Sequence, residues 1–273
     1  MHEMSTVWLR FAVVLYSLGL LHAILAILRK RSQLFRPALI AFLIAAVLHL
    51  VALVEESVYK GRLPVSNFWE SVSFCAFLLA LLYLIICYRR GFESLGVFVF
   101  PLVFLMALLG SFDRPVGPWA NPAVRDVWLL VHVVLVLCGY VSLVLTAAAS
   151  VVYLIQERQL KKKTLRVLAG RLPALGTLDE FISGAMAIGF VLITLAVIAG
   201  STWAFIESGI RWIREPKIVI SLVTWAFYLV MVYLRIGAGW RGRKAAFMAL
   251  ALVGCSALTW ASHAGLRSLL KQG

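Results

Sequence analysis

Eight long apolar stretches dominate the sequence, and they constrain its fold more than any other feature. A helix needs roughly 20 predominantly apolar residues to cross a bilayer. The stretches lie near residues 7–28, 38–54, 67–88, 94–110, 127–154, 183–206, 217–236 and 245–262. Eight spans of that length use about 160 residues, so the chain has room for short connections only. The sequence therefore predicts an all-α, polytopic transmembrane helix bundle of about eight membrane-spanning helices, with residues 1–273 forming a single integral membrane domain.

The composition excludes the other common classes of protein. Hydrophobic residues make up 63% of the chain and charged residues 14%, whereas a soluble domain is nearer half apolar and a quarter charged. An ordinary soluble enzyme, a disordered chain and a disulfide scaffold are excluded on this ground. The four cysteines all lie inside apolar stretches and form no C-x-x-C pair, so neither a thiol relay nor a zinc site is predicted.

The basic residues carry information about topology. The net charge is +14, but Lys and Arg fall in short clusters between the apolar stretches, which is typical of topology signals and not of nucleic-acid binding. One side of the bundle receives 16 of them and the other 10. The richer side is predicted to be cytoplasmic, which makes both termini extracytoplasmic in a multi-pass protein of the cell (inner, cytoplasmic) membrane. The longest cytoplasmic connection, about 156–182, is interpreted as a solvated basic loop, with an interfacial amphipathic helix as the alternative.

Three histidines fall at similar depths on three different predicted helices. His132 lies five residues into the fifth helix, roughly 8 Å deep, His263 lies at the outward end of the eighth, and His49 lies near the outward end of the second. A histidine inside a membrane span is costly and is therefore a functional candidate. Neutral imidazole is a good axial ligand for haem iron. The alternative is that each histidine only hydrogen-bonds a neighbouring helix.

Aromatic residues gather in the predicted outer connections. Trp119 and Trp128 flank the start of the fifth helix, and Trp203, Phe205 and Trp212 flank the connection between the sixth and seventh. Tryptophan is enriched at membrane interfaces in general. Aromatic walls are also what a flat apolar macrocycle needs. Composition leaves both interpretations open.

Several short segments form a more specific pattern. They are Leu48-His49-Leu50, Gly61-Arg62-Leu63-Pro64, Ser66-Asn67-Phe68-Trp69-Glu70-Ser71, His132 with Gly139-Tyr140, Thr224-Trp225, and Gly239-Trp240-Arg241-Gly242. With these segments the chain resembles the integral-membrane cytochrome c assembly family, of the CcsA type and its HemX-like relatives. The resemblance is strongest over residues 45–245.

The resemblance implies a haem-handling protein of c-type cytochrome biogenesis, which binds or presents haem at the outer face of the membrane for attachment to apocytochrome c. It implies a b-type haem with His132 and His263 as axial ligands of the iron, and a deeper role for His49. The implied partners are apocytochrome c and an extracytoplasmic assembly partner. In enzymatic terms the chain is at most a component of a cytochrome c synthase (haem lyase) complex.

The sequence departs from the family pattern in the external loop. Trp212 fits the family's external loop, and Pro216 and Lys217 fit its W-D-P-K-E ending, but Ser208 and Arg214 stand where tryptophans are expected. The aromatic platform is therefore degraded. Trp212 remains a candidate haem contact, and Arg211 and Arg214 are predicted to pair with haem propionates, because a guanidinium matches the geometry of a carboxylate.

A second departure lies at the C-terminus. The family usually has G-L-H-S where this chain has Gly265-Leu266-Arg267-Ser268. His263 lies one helical turn before Arg267 on the same face, so either His263 takes the place of the missing ligand or the site has lost a ligand. The degraded tryptophan loop favours an alternative function, that of a HemX-like membrane regulator whose partner is a cytosolic haem-biosynthesis enzyme. An unrelated transporter is least supported, because neither inverted repeats nor paired broken helices are found.

Overall fold

The computed structural model describes residues 2–28, 35–65, 68–112, 127–161, 173–208 and 216–264. These residues form eight α-helices, which confirms the predicted number. The helices are α1 (His2–Leu28), α2 (Phe35–Lys60), α3 (Phe68–Arg90), α4 (Gly96–Gly110), α5 (Val127–Lys161), α6 (Leu175–Ser208), α7 (Pro216–Ile236) and α8 (Arg243–Ala264).

Several helices are longer than their apolar stretches. α2 continues to Lys60, α5 continues to Lys161, and α6 begins already at Leu175. A helix satisfies its own backbone hydrogen bonds, so it can run past the apolar segment into a polar region. On α5 the extension carries an ion pair between Lys161 and Glu157, one turn apart and 2.6 Å from N to O. The connection predicted over 156–182 is therefore helical at both ends, and residues 162–172 lie outside the described part.

The described helices fall into two compact units. The first contains α1 to α4, and the second contains α5 to α8. The prediction of a single membrane domain stays a prediction. In the first unit α1 packs on α2 and α4, and α3 packs on α4 and α2. Its centre is aromatic: the rings of Phe42 and Phe100 are 4.3 Å apart and those of Tyr16 and Phe42 are 4.9 Å apart. Ring pairs at such distances add to the stability gained by burial.

The second unit packs α5 on α6 and α8, and α7 on α6 and α8. Its buried cluster consists of Leu143, Met186, Tyr228, Met231, Ala249 and Leu252. Glycines let α5 and α6 approach closely: a Cβ atom added to Gly139 would lie 2.6 Å from the side chain of Ile193. Small residues at helix contacts are typical of membrane bundles, where close backbone approach replaces the hydrophobic effect as the source of attraction.

The surface of the helices agrees with a membrane environment. Seven helical segments among the described residues are long and apolar enough to cross a bilayer, and large apolar side chains such as Ile40, Val223 and Leu258 are exposed. The chain is an all-helical, multi-pass membrane protein, as predicted. The orientation of the termini stays a prediction.

Candidate functional site

His132 is held by a main-chain carbonyl of the neighbouring helix. Its half-buried ring lies near the start of α5, and Nδ1 is 2.7 Å from the carbonyl oxygen of Ala196 on α6. A carbonyl only accepts hydrogen bonds, so Nδ1 carries the proton and donates it. In the neutral form of the imidazole, the lone pair is therefore on Nε2. Metal-binding histidines in proteins are usually oriented in this way, with the other ring nitrogen bonded to a carbonyl or carboxylate.

Gly200 fixes the position of the same ring. A Cβ atom at residue 200 would lie 2.6 Å from Cε1 and 2.7 Å from Nδ1 of His132. Real Cβ atoms do not approach other atoms so closely, so the ring lies directly against the backbone of α6 because residue 200 is a glycine. Ala196 and Gly200 were not predicted as site residues. A backbone carbonyl has no side-chain signal in a sequence, and Gly200 is one of several glycines in the apolar stretches.

The backbone position of His263 matches that of His132 in depth. α5 and α8 run antiparallel, since Tyr153 near the end of α5 lies beside Gly242 at the start of α8. Leu143 of α5 and Leu252 of α8 share one buried cluster. Eleven residues separate Leu143 from His132, and eleven separate Leu252 from His263. Each step is a rise of about 16 Å, so both positions lie toward the same end of the second unit. The His263 side chain lies outside the described part.

Polar contacts between helices stabilise this end of the second unit. The indole Nε1 of Trp225 on α7 donates to Oγ1 of Thr194 on α6 at 3.0 Å. The hydroxyl oxygens of Thr224 on α7 and Thr259 on α8 are 2.6 Å apart. Hydrogen bonds between membrane helices each contribute roughly 0.6 to 2 kcal/mol. Together they fix α6, α7 and α8 around the end at which His132 lies.

His49 lies in the first unit and has a different environment. The residue is fully buried, with Nε2 3.0 Å from Oγ of Ser73 and Nδ1 3.5 Å from the hydroxyl of Tyr16. The ring of Phe77 packs edge-on against the imidazole at 5.8 Å. Both ring nitrogens thus face hydroxyl groups of neighbouring helices. A metal ion could reach Nε2 only after Ser73 had moved away.

An ion-pair cluster lies in the first unit near the C-terminal end of α2, the helix that carries His49. The Glu70 side chain is 2% exposed and receives Lys60 Nζ at 2.8 Å and Arg62 Nη1 at 2.9 Å. Lys60 also pairs with Glu56. A small recess beside this cluster is lined by residues that include Glu56, Glu70 and Ser73. Ser73 therefore borders both the recess and His49. The sequence gave no sign of these two partners of Glu70.

The remaining predicted site residues are not covered by the structure. Arg211, Trp212 and Arg214 lie outside the described residues. The structure thus places His132 and the backbone of His263 in one unit and His49 in the other. The assignment of all six residues to a cofactor stays a prediction.

The fold and these contacts define a class, namely polytopic helical membrane proteins with histidines oriented inside the bundle. Comparison with known families makes the class specific. A family profile described as "Cytochrome C assembly protein" matches residues 65–264. The chain belongs to this family, which confirms the resemblance found in the sequence.

Individual relatives agree with this membership. "Cytochrome c biogenesis protein CcsA" of Heterosigma akashiwo is 26% identical over 220 residues, which are 68% of this chain and 68% of that protein. The protein of the same name from Prochlorococcus marinus (strain MIT 9312) is 27% identical over 243 residues, covering 81% of this chain and 78% of that one. The Chlamydomonas reinhardtii protein of that name is 30% identical over 198 residues, covering 70% and 55%.

A solved structure shares the fold. "Cytochrome c Heme Lyase CcmF" superposes with a TM-score of 0.69 at 17% sequence identity. The match covers 95% of this chain and 46% of the other, so this chain spans less than half the length of that protein. At this identity the comparison establishes a common fold.

Proposed function

We propose that this protein handles b-type haem in the maturation of c-type cytochromes, at the outer face of the cytoplasmic membrane. Membership of the cytochrome c assembly family supports the pathway, as do the names of the CcsA relatives. The observation that carries the proposal is the hydrogen bond of 2.7 Å from His132 Nδ1 to the Ala196 carbonyl. It places a proton on Nδ1 and so favours the tautomer in which metal-binding histidines are usually held.

The residues of the second unit fit such a cofactor. His132 is oriented by Ala196 and restrained by Gly200, and the backbone of His263 lies at a matching depth on the packed helix α8. Two histidines on adjacent helices are the ligand set that a haem iron with two axial imidazoles requires. The candidate propionate partners are Arg211 and Arg214, with Trp212 as a candidate wall of the pocket. When bound, the haem supplies the porphyrin to which the cysteine thiols of an apocytochrome become attached.

The chain's own residues act by positioning. The Ala196 carbonyl keeps a proton on Nδ1, so the nitrogen through which a neutral His132 would bind a metal is Nε2. The Gly200 backbone limits rotation of the ring. The hydrogen bonds of Thr194 with Trp225 and of Thr224 with Thr259 keep the helices of the second unit in register. Apocytochrome c and an extracytoplasmic assembly partner are the proposed partners.

His49 enters this proposal in a conditional role. Because Ser73 and Tyr16 occupy its two nitrogens, it first serves as a polar contact between α1, α2 and α3. Nε2 of His49 can contact haem only if the Ser73 hydroxyl moves away from it.

The proposal is tested by visible spectroscopy of the detergent-purified protein, oxidised and reduced. We expect a sharp Soret band, with loss of haem in His132→Ala and in His263→Ala. His22→Ala is the matched control, because Nδ1 of His22 also faces a carbonyl, that of Leu18 at 2.9 Å, but within its own helix. Its spectrum should equal that of the unmodified protein. Absence of haem from every preparation, even after haem is added, would exclude the ligand assignment.

A second candidate function rests on the degraded external loop. With Ser208 and Arg214 in place of tryptophans, a HemX-like regulator that controls a cytosolic haem-biosynthesis enzyme is the alternative. It predicts that a tagged protein co-purifies with this enzyme and that the association is lost on deletion of residues 162–172. Substitution of His132 should leave the association intact. If the purified protein binds haem and no such enzyme co-purifies with it, the first function is supported and the second is excluded.

A further inference from the structure

A buried arginine lies at the opposite end of the second unit from His132. Arg235 belongs to the last turn of α7, and its side chain is 4% exposed. Its Nη2 donates to the main-chain oxygen and to Oδ1 of Asp179, both at 2.8 Å. Its Nε donates to Oγ of Ser183 at 3.0 Å. We call Arg235, Asp179, Ser183, Arg241 and Gly242 the Arg235 cluster.

One guanidinium nitrogen of this cluster has no acceptor. Nη1 of Arg235 is buried, and no hydrogen-bond acceptor for it is found among the described residues. A guanidinium is always charged and carries five N–H donors. Leaving part of it buried and unpaired costs free energy that an additional acceptor would recover. An acceptor from outside the described residues would therefore complete this group.

The charge of the cluster favours an anion as that acceptor. Asp179 is its one carboxylate, and it is shared by two arginines: Arg235 at 2.8 Å and Arg241, whose Nε lies 4.0 Å away. The cluster therefore has a net positive charge. The Arg241 side chain is 81% exposed, so one cation of the cluster is open to the surroundings while the other is enclosed.

The turn between α7 and α8 is fixed against the rest of the unit. Gly239 and Gly242 have φ angles of +64° and +68°, in the left-handed region that glycine adopts readily. The Gly242 N–H donates to Oδ1 of Asp179 at 3.5 Å. A Cβ atom at residue 242 would lie 3.1 Å from the hydroxyl of Tyr153 on α5. Elements of α5, α6, α7 and α8 thus meet at this cluster.

A second polar atom without a partner lies at the same end. Gln156 follows Tyr153 by one helical turn, and its Oε1 is buried with no hydrogen-bond donor among the described residues. This end of the unit therefore presents an unfilled donor on Arg235 and an unfilled acceptor on Gln156.

We propose that the Arg235 cluster binds the phosphodiester of an anionic glycerophospholipid, of the phosphatidylglycerol kind. α7 ends at Ile236, one residue beyond Arg235, so the cluster lies where the apolar helix meets the lipid headgroups. The adjacent Trp240 is half-buried, with Lys244 5.4 Å from its ring, which is typical of the membrane interface. Basic sites between membrane helices bind anionic headgroups, and the planar fork of arginine matches phosphate oxygens. In this proposal the exposed Arg241 and the buried Arg235 both contact the phosphate oxygens.

The test uses the whole protein, delipidated in a neutral detergent, and measures thermal unfolding as lipid is added. We expect phosphatidylglycerol to raise Tm and to remain bound in native mass spectrometry, and phosphatidylcholine to do neither. Arg241→Gln should raise the phosphatidylglycerol concentration for half-maximal stabilisation at least about threefold, because one charge-assisted contact is lost. Arg235→Lys should do the same, because lysine lacks the planar fork. Arg90→Gln, at an exposed cation at the end of α3 in the other unit, should behave as the unmodified protein.

Three results would overturn the proposal. The first is equal stabilisation by phosphatidylcholine and phosphatidylglycerol. The second is an unchanged response in Arg241→Gln, a variant that keeps Arg235 and therefore folds even if Arg235→Lys does not. The third is a full shift produced by inorganic phosphate at the same concentration, which would assign the site to free phosphate. The haem spectrum recorded on the same samples separates a failure of this proposal from a failure of the proposed haem function.

Discussion

The two histidines His49 and His132 both lie inside membrane helices, but the two units of the molecule treat them differently. In the first unit His49 is fully buried between two hydroxyl groups, on Ser73 and Tyr16. In the second unit His132 is half-buried and is held through Nδ1 by a backbone carbonyl. A hydroxyl can donate or accept, so His49 can adopt either tautomer. A carbonyl only accepts, so His132 has one tautomer.

The difference shows that position inside a membrane span is not enough to identify a ligand. His49 faces hydroxyl groups with both ring nitrogens, whereas Nδ1 of His132 donates to a fixed carbonyl, which is how metal-binding histidines are commonly oriented. The comparison therefore predicts unequal effects of substitutions in the two units, on haem content and on stability.

The largest expected effect is on haem content in the second unit. His132→Gln removes the imidazole but keeps a side-chain amide that can donate to the Ala196 carbonyl. We expect the variant to fold and to lose more than about 90% of its haem, since an axial ligand supplied by the protein is missing. Haem content is measured by absorbance per protein and folding by size-exclusion chromatography.

The paired variant in the first unit is His49→Gln. It should retain most of the haem, because Ser73 and Tyr16 can hydrogen-bond the amide as they do the imidazole. Equal loss of haem in both variants would contradict the distinction between the two histidines and would make His49 a ligand as well.

The next effect tests how the ring of His132 is positioned. In Gly200→Ala the new Cβ would lie 2.6 Å from Cε1 of His132, so the ring must move. We expect haem affinity to fall about tenfold and stability by about 1–3 kcal/mol. Titration of haem into the apoprotein and denaturant unfolding measure the two quantities.

Gly184→Ala is the control on the same helix, because no atom lies within 4 Å of a Cβ placed there. It should bind haem normally and be slightly more stable than the unmodified protein, since alanine favours helix. An unchanged haem affinity in Gly200→Ala would show that the ring position is unimportant.

A smaller effect, on stability alone, is expected from Ser73 in the first unit. Ser73→Ala leaves Nε2 of a fully buried imidazole without a partner, at a cost of about 1–3 kcal/mol. The change is measured by denaturant unfolding. Haem content should stay the same. A gain of haem in this variant would mean that Ser73 keeps a ligand closed, and the roles of the two histidines would then be alike.

Much of the fold could be predicted from the sequence, because length and apolarity alone specify a membrane helix. The eight helices are those that the apolar stretches predict, and the position of His132 near the start of α5 agrees with the count along the chain. The helix ends were less certain, since α2, α5 and α6 continue into polar residues that hydropathy leaves out. The partners of the site residues could not be predicted at all. The Ala196 carbonyl is identical in sequence to any other backbone group, and Ser73 reaches His49 only through the packing of α3 on α2.

The smallest effect sharpens the comparison within the first unit. The Tyr16 hydroxyl lies 3.5 Å from Nδ1 of His49, compared with 3.0 Å from Ser73 to Nε2. A hydrogen bond weakens steeply at such lengths, so Tyr16→Phe should reduce stability by less than about 1 kcal/mol, and clearly less than Ser73→Ala. In the double variant both ring nitrogens lose their partners. The loss of stability should then exceed the sum of the losses in the two single variants, because in each single variant the remaining hydroxyl can still hydrogen-bond one ring nitrogen. Additive losses in denaturant unfolding would show that the two hydroxyls act independently, and that His49 has one preferred tautomer just as His132 has.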